Sequence, residues 1–385
     1  MDCSTLAGEA RTSGIPELRL DLRALERNIE IMAAWCRDQG VELSPHIKTT
    51  MTRPIVERQM EAGAWGVTVA TVQQAGVALA WGLRRVVIAN QVLHDADLAL
   101  MRRWLERFEG LELYCFVDSE VGVERARRAM EGTTNALRVL IDVGMDSGRT
   151  GVREPHAAHA LGSALRASSG LHLAGVAGYE GVGPNTRDEE ALGEIDDYCR
   201  RVTAVFCHLM PLFQTERPVV SLGGSAFPDR AVHVLAQLRE QLGNRSVLPL
   251  LRSGCYVAHD HGTYQEVSPI PGLRPALSVR AMVLSTPEPG LAVIGAGKRE
   301  LPHDAGLPVL IGARDPQGRT RPTVAATATR IYDHHLVLAE AYGLQPGDEA
   351  DLGISHPCSA FDRWPDITVT GDDGRPCDIW HPQFR

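Results

Sequence analysis

No uninterrupted apolar run in this 385-residue chain is long enough to span a bilayer, so a membrane helix is not expected. The start, Met1 to Gly14, carries Asp2, Glu9 and Arg11 and lacks the apolar stretch of a secretory leader or anchor. Basic clusters are missing too. Lys and Arg are scattered and the net charge is −9, which leaves no footprint for a phosphate backbone and speaks against nucleic acid as a partner. The eight cysteines stand at irregular spacing with no leader, which argues against a disulfide framework and makes a reduced, cytoplasmic setting the expectation. There is also no low-complexity linker, and no internal repeat beyond an alternation of short and long segments.

That alternation is what the chain does have. Its 44% apolar content fits a globular protein, and its length allows two domains. Apolar runs of strand length occur at Leu43 to Lys48, Trp65 to Ala70, Arg85 to Ala89, Leu111 to Val117, Leu137 to Val143, His172 to Gly178, Val219 to Leu222 and Ser246 to Leu251. Between them lie amphipathic stretches of helical period, such as Ala96 to Phe108, Glu120 to Met130 and Glu189 to Phe213. Eight strands with intervening helices predict a (β/α)8 TIM barrel over residues 22–265. A helix at Leu22 to Cys36 and an extended piece at Glu17 to Leu20 precede the first strand. Beyond Ser268, alternating segments at Leu277 to Ser285, Leu291 to Gly295, Thr323 to Ile331 and Ile367 to Thr370 are separated by Pro and Gly turns. They predict an all-β domain over residues 266–385, joined by residues 1–21.

Active sites of such barrels form at the C-terminal ends of the strands. Lys48 ends the first strand, Asn90 the third, Asp142 to Arg149 follow the fifth, and Tyr179 ends the sixth. Strand seven runs into Gly223-Gly224-Ser225 and strand eight into Gly254-Cys255-Tyr256. Loops after strands seven and eight commonly hold a phosphate on exposed backbone N–H groups, and glycine permits close approach. A phosphate site facing a strand-end lysine suits pyridoxal phosphate, whose aldehyde condenses with the amine. A barrel aldolase with an imine-forming lysine and a phosphorylated substrate would show the same two features.

The chain resembles the pyridoxal phosphate enzymes with an alanine-racemase-like barrel, in particular the D-serine dehydratase and D-threonine aldolase branch, and within it bacterial amino-acid deaminases. The resemblance rests on Leu20-Asp21-Leu22, Pro45-His46-Ile47-Lys48-Thr49, Ala62 to Thr71, Gly148-Arg149-Thr150-Gly151-Val152, Gly178-Tyr179-Glu180-Gly181, Gly254-Cys255-Tyr256-Val257, Ser355-His356-Pro357-Cys358 and Phe361-Asp362. It implies that Lys48 forms the imine with the cofactor and acts as the base at the substrate's α-carbon. It implies further that His46 and Arg149 face the cofactor, that Tyr179 stands beside the ring or substrate, and that Gly223, Gly224 and Ser225 with Gly254, Cys255 and Tyr256 take the phosphate. Leu222 and Ala226 depart from the richer run of glycines and threonines usual there, and Thr50 stands where the family often has a histidine. A homodimer is also implied.

The pair His356 and Cys358 is the second constellation. Residues two apart in an extended chain face the same side, so imidazole and thiolate could share one ion, although a packed cysteine beside a surface histidine would look the same. Sulfur favours zinc over manganese or magnesium. The resemblance assigns the pair as zinc ligands of D-serine dehydratases, whereas D-threonine aldolases carry an acidic residue at the position of Cys358. The expected function is a zinc-assisted dehydratase that turns a D-serine-like D-β-hydroxy amino acid into a 2-oxo acid and ammonia. The alternative is retro-aldol cleavage to glycine and an aldehyde. A racemase is disfavoured because no counterpart of its second tyrosine is found, and a non-catalytic cofactor carrier because such proteins lack a β domain. The groups His259-Asp260-His261 and Asp333-His334-His335 are read either as a further metal ligand or proton source or as loop residues that cap turns or border the substrate mouth, and Lys298-Arg299 near Asp304 either as a site for a substrate carboxylate or as a solvated charge cluster.

Overall fold

The computed structural model describes residues 14–183, 185–322 and 325–384, so what was expected of residues 1–13 lies outside the described residues. The chain forms two compact units, where boundaries at 22 and 266 were expected. One holds residues 29–256, 267–272 and the last described residues, and the other holds residues 14–28, 257–266 and 273–382. Among the described residues no helix is long and apolar enough to cross a membrane.

Strand β1 (Glu17–Asp21) and helix α1 (Leu22–Gln39) open the chain. The first unit then alternates strands β2 (Glu42–Leu43), β3 (Val67–Val69), β4 (Arg85–Gln91), β5 (Glu112–Val117), β6 (Leu137–Val143), β7 (Leu171–Gly178), β8 (Val219–Leu222) and β9 (Leu248–Leu251) with helices. These helices are α2 (Arg53–Glu61), α3 (Val72–Ala80), α4 (Asp95–Arg107), α5 (Glu120–Met130), α6 (Pro155–Arg166), α7 (Glu189–Leu209) and α8 (Pro228–Leu242). Their starts are written locally. Thr71, Ser119 and Asp188 accept from the backbone N–H groups of Gln74, Gly122 and Ala191, while α2, α6 and α8 carry proline in the first turn, where its missing N–H costs nothing. The strands are parallel in the order β2-β9-β8-β7-β6-β5-β4-β3.

The ring closes between β2 and β3, at the first strand. This strand is shorter than the expected Leu43 to Lys48, because Pro45 has no N–H to donate toward β3. Residues 43–46 nevertheless bridge both neighbours. Ser44 N–H donates to Leu251 O (2.8 Å) and His46 N–H to Ser253 O (3.2 Å), while Leu43 and Pro45 carbonyls accept from Trp65 and Thr68 (2.8 and 2.9 Å). Val87, Tyr114, Phe116, Leu140, Ala174, Ala177, Val219, Leu248 and Leu250 fill the interior. Trp65 and Tyr114 sit 5.7 Å apart, with the Arg85 and Arg138 guanidinium groups over their rings at 4.8 and 5.6 Å. They plug the N-terminal end and leave the C-terminal end for chemistry.

The second unit is a nine-stranded, mostly antiparallel sheet. It is built from β1, β10 (Leu277–Glu288), β11 (Leu291–Ile294), β12 (Val309–Arg314), β13 (Thr327–Ile331), β14 (Leu336–Ala339), β15 (Glu349–Gly353), β16 (Ile367–Thr370) and β17 (Pro376–Trp380). The order is β13-β14-β11-β10-β1-β16-β17, with β15 lying between β10 and β12. β1 pairs antiparallel with β10 and parallel with β16, so the extended piece at the start of the chain does belong to the β unit. A short helix, α9 (Thr263–Val267), precedes the sheet. The expected segment from Thr323 starts on residues outside the description, and its strand begins at Thr327.

Candidate active site

Lys48 is half-buried in a 3-10 turn, Ile47–Thr49, just past the first strand rather than within it. The turn is pinned. Thr50 and Met51 N–H groups both donate to the Ile47 carbonyl (3.1 and 2.8 Å), and buried Met51 takes a left-handed conformation, φ 38°, which costs a non-glycine residue about 1 kcal/mol or more. His46, two residues earlier, has a buried Nδ1 with no hydrogen-bond partner among the described residues. Burial, then the charges of Lys48 and Arg252, hold its pKa well below the usual histidine value, so the ring is neutral.

Strand parity places a polar layer above the apolar interior. Residues two apart face the same way, so Ala89, Phe116, Leu140, Ala177, Val219 and Leu250 are followed on the inward face by Gln91, Asp118, Asp142, Tyr179, Ser221 and Arg252. Arg252 is buried, donates to Ser221 Oγ (2.5 Å) and the Gly178 carbonyl (2.6 Å), and lies 5.2 Å over the Phe116 ring. Asp142 is buried and accepts from Thr150 Oγ1 (2.8 Å) and Gln91 Nε2 (3.4 Å), and burial raises its pKa. Gln91, not the exposed Asn90, therefore reaches the site from β4; Asn90 donates to the Ala70 carbonyl at 3.1 Å. Arg149 lies 4.8 Å over the Tyr179 ring, and Tyr179 N–H donates to the Tyr198 hydroxyl at 2.8 Å. Arg252 and Gln91 were not singled out from the sequence, and Asp142 only as the start of the segment after the fifth strand.

The glycine loop after β8 is held on both sides. Gly223 needs its glycine, with φ 87°. Its N–H and that of Gly224 donate to the Glu180 carboxylate, the former at 3.1 Å. Arg252 N–H donates to the Gly223 carbonyl at 3.1 Å and Ser253 Oγ to the Gly224 carbonyl at 2.8 Å. Gly254 packs against the backbone of His46, where a Cβ would meet the carbonyl oxygen at 2.4 Å. Cys255 is buried with Sγ 3.8 Å from Thr49 Oγ1. The Tyr256 hydroxyl accepts from Gln59 Nε2 (2.9 Å), so the side chain is committed to α2 and only its backbone is left for a ligand. Ser225 is half-buried beyond Gly224. The Gly223 and Gly224 N–H groups are taken by Glu180, while the turn that follows them, the orphaned His46 nitrogen and the Lys48 amine fit pyridoxal phosphate.

In the β unit, His356 and Cys358 converge through a 3-10 turn, Pro357–Ser359, with His356 as its N-cap. Two residues of one tight turn, not the alternation of an extended strand, bring them together. The imidazole is bonded to the Cys358 thiol and stacked on Tyr264 at 5.5 Å. Burial pulls its pKa down, but the Cys358 bond and the charges of Cys358, Asp304 and Asp260 carry it above the usual value. His356 Nδ1 is buried without a hydrogen-bond partner among the described residues. A nitrogen and sulfur pair with an orphaned buried nitrogen fits a thiophilic ion such as zinc better than magnesium or manganese.

The remaining clusters divide. Asp260 Oδ1 accepts from the N–H groups of Gly262, Tyr264 and Gln265 and so caps the turn into α9, while His259 Nδ1 meets the Asp260 carbonyl at 3.0 Å. His334 pairs with Glu300 at 2.8 Å on the exposed hairpin between β13 and β14, and Lys298 and Arg299 are exposed nearby in sequence, with N–H groups bonded to the Tyr332 and Asp333 carbonyls.

The family model "Alanine racemase, N-terminal domain" matches residues 20–228, and "Putative serine dehydratase domain" matches residues 276–370. The chain is 29% identical to a D-threonine aldolase of an Arthrobacter species over 96% of its own length and 92% of that protein's. The crystal structure of D-threonine aldolase from Filomicrobium marinum superposes with TM-score 0.82 at 26% identity, over 96% of this chain and 95% of that one. D-threo-3-hydroxyaspartate dehydratase from Delftia sp. HT23 superposes with TM-score 0.78 at 25% identity, over 97% and 98% of the two chains. A cysteine-to-alanine variant of that dehydratase has been solved in a metal-free form. The chain belongs to the alanine racemase N-terminal domain family, pyridoxal phosphate enzymes of the alanine-racemase fold, in their D-serine dehydratase and D-threonine aldolase branch.

Proposed function

We propose that this lyase dehydrates a D-β-hydroxy amino acid, with pyridoxal phosphate held in the barrel and zinc held by His356 and Cys358. Overall similarity does not choose between dehydration and retro-aldol cleavage, since the relatives include both an aldolase at 29% and a dehydratase at 27% identity. The observation that carries the choice is the Cys358 thiol bonded to His356, a soft donor where the aldolase pattern has an acidic one.

When bound, the cofactor supplies the electron sink that acidifies the substrate Cα–H, and the ion supplies Lewis acidity toward the β-hydroxyl. Lys48 takes the α-proton, from a turn whose position is fixed by Met51 and the Ile47 carbonyl. His46 beside it, its pKa held well below the usual histidine value by burial and the charges of Lys48 and Arg252, is too weak a base to compete for that proton. Arg252, Asp142 and Gln91 form the floor, and Arg149 steadies the Tyr179 ring at the rim. Loss of Cα–H to the lysine and of the hydroxyl as hydroxide, protonated to water, yields a free enamine. It tautomerises to an imine and hydrolyses in water to a 2-oxo acid and ammonia. A homodimer is the form in which we expect the enzyme to work.

Purified enzyme given D-serine, D-threonine and D-threo-3-hydroxyaspartate, with and without a chelator, tests this. The expected products are 2-oxo acid and ammonia, with activity lost on chelation and restored by zinc while the visible absorbance of the cofactor persists. Glycine and an aldehyde as main products would sink the dehydratase reading, and full activity without metal would sink the zinc.

A further inference from the structure

Glu180 is fully buried, and both its carboxylate oxygens are engaged, one by Gly223 N–H at 3.1 Å and the other by Gly224 N–H. These are the first two N–H groups of the loop expected to cradle the phosphate. The same loop is clamped from its other side by Arg252 N–H and by Ser253 Oγ on the Gly223 and Gly224 carbonyls, at 3.1 and 2.8 Å. A side chain at Gly224 would meet the Tyr179 ring at 2.8 Å, so the loop has no room to slide toward β7. Burying an ionised carboxylate is expensive unless it is well satisfied, and nothing in the proposed proton transfer uses this one.

We propose that Glu180 is the positioning residue of the phosphate loop: it fixes Gly223 and Gly224 by their N–H groups, and leaves the phosphate to the backbone that follows, from Ser225 onward, and to the Gly254 turn. This rests on the reading that the cofactor's phosphate lies against that loop. A carboxylate and a phosphate dianion cannot share two N–H groups, so the rival is that Glu180 occupies the phosphate's own place and must withdraw. The two make opposite forecasts for the loss of its charge.

Pyridoxal phosphate and pyridoxal, which lacks the phosphate, are titrated into the cofactor-stripped full-length protein and followed by imine absorbance. Glu180→Gln keeps the shape but sets an amide donor against one backbone donor. The expected loss is about tenfold to a hundredfold in affinity for pyridoxal phosphate, the worth of one hydrogen bond to a charged group. Affinity for pyridoxal should stay within about threefold. Glu180→Asp, which keeps the charge on a shorter arm, should fall between the two, and thermal melting of each variant controls for folding. Unchanged or tighter binding of pyridoxal phosphate to Glu180→Gln overturns the proposal, as does an equal loss for both aldehydes. Absence of imine in the wild-type protein with either aldehyde would instead indict the cofactor reading itself.

Discussion

Adding one methyl group at Gly254 separates two roles that a strand-end glycine can play. A Cβ there would lie 2.4 Å from the His46 carbonyl oxygen and 3.0 Å from the His46 Cβ. Ordinary C···O contacts begin near about 3.3 Å, so the two backbones must part by about 0.9 Å. His46 cannot yield freely, because its N–H is bonded to Ser253 O at 3.2 Å and it bridges Thr68 across the barrel seam. Relief must come from the following turn, the one that carries Lys48. Overpacking of this size costs about 1–3 kcal/mol, and a shift of about 1 Å at a reacting group costs about a hundredfold in rate. For Gly254→Ala we expect a melting temperature lower by about 1–4 °C, turnover lower by about a hundredfold, and imine absorbance retained. Alanine keeps its N–H, so a glycine that served only to offer that N–H to phosphate would be replaced without loss. Wild-type melting and turnover in Gly254→Ala would refute the steric reasoning.

Lys48→Ala should abolish the visible imine absorbance while shifting stability by no more than about 0.5 kcal/mol, since the side chain is only half-buried; a variant that stays yellow would overturn the assignment of this lysine. The thiols of Cys36 and Cys115 are each pushed up to about 12 by burial, against 9.0 for an ordinary cysteine on the same scale. The folded state therefore holds these protons more tightly than the unfolded one, so their contribution is intact below about pH 9 and lost as pH rises toward 12, at about 1.4 kcal/mol per pH unit per thiol. Urea unfolding between pH 8 and about 10.5 should show this decline, and the Cys36→Ala, Cys115→Ala double variant, which keeps the raised thiols of Cys199 and Cys207, should show a shallower one; equal slopes in the two proteins would refute the assignment.

The barrel was legible because its strands are apolar runs and its helices carry caps, so period and punctuation agree. In the β unit the same reading found β10, β11, β13 and β16 but passed over β12, β14, β15 and β17. β15, Glu349–Gly353, has only Ala350 and Leu352 as inward apolar side chains, and β17 buries only Trp380, so neither carries enough hydrophobic alternation to stand out. Lys48 stands in a 3-10 turn just past the strand end, beyond Pro45, which leaves one edge of the ladder without a donor, an effect that apolar period alone does not register. His356 and Cys358 were paired for a geometric reason that does not hold, an extended chain, and the turn that joins them begins with Pro357 at its first position, a local signal that was available.

The polar floor of the site was within reach of the sequence once parity is applied to each strand end. Leu140-x-Asp142, Val219-x-Ser221 and Leu250-x-Arg252 continue an inward apolar face into an inward polar one, and a strand that does so in several neighbours at once marks a lined cavity rather than a packed core. Glu180 could not be found that way, because it lies past the end of β7 and its partners are backbone groups of a loop more than forty residues away in sequence. The consequence is physical. Arg252 is stripped of water, which lowers its pKa, and what offsets that cost is the nearness of Glu180 and Asp142 together with its bonds to Ser221 and the Gly178 carbonyl. Removing Glu180 therefore loosens the glycine loop and leaves Arg252 with one counter-charge fewer. The second effect acts on the floor and bears on both aldehydes, whereas the first bears on the phosphate alone. The ratio of pyridoxal phosphate to pyridoxal affinity therefore reports the loop, and the pyridoxal affinity by itself reports the floor.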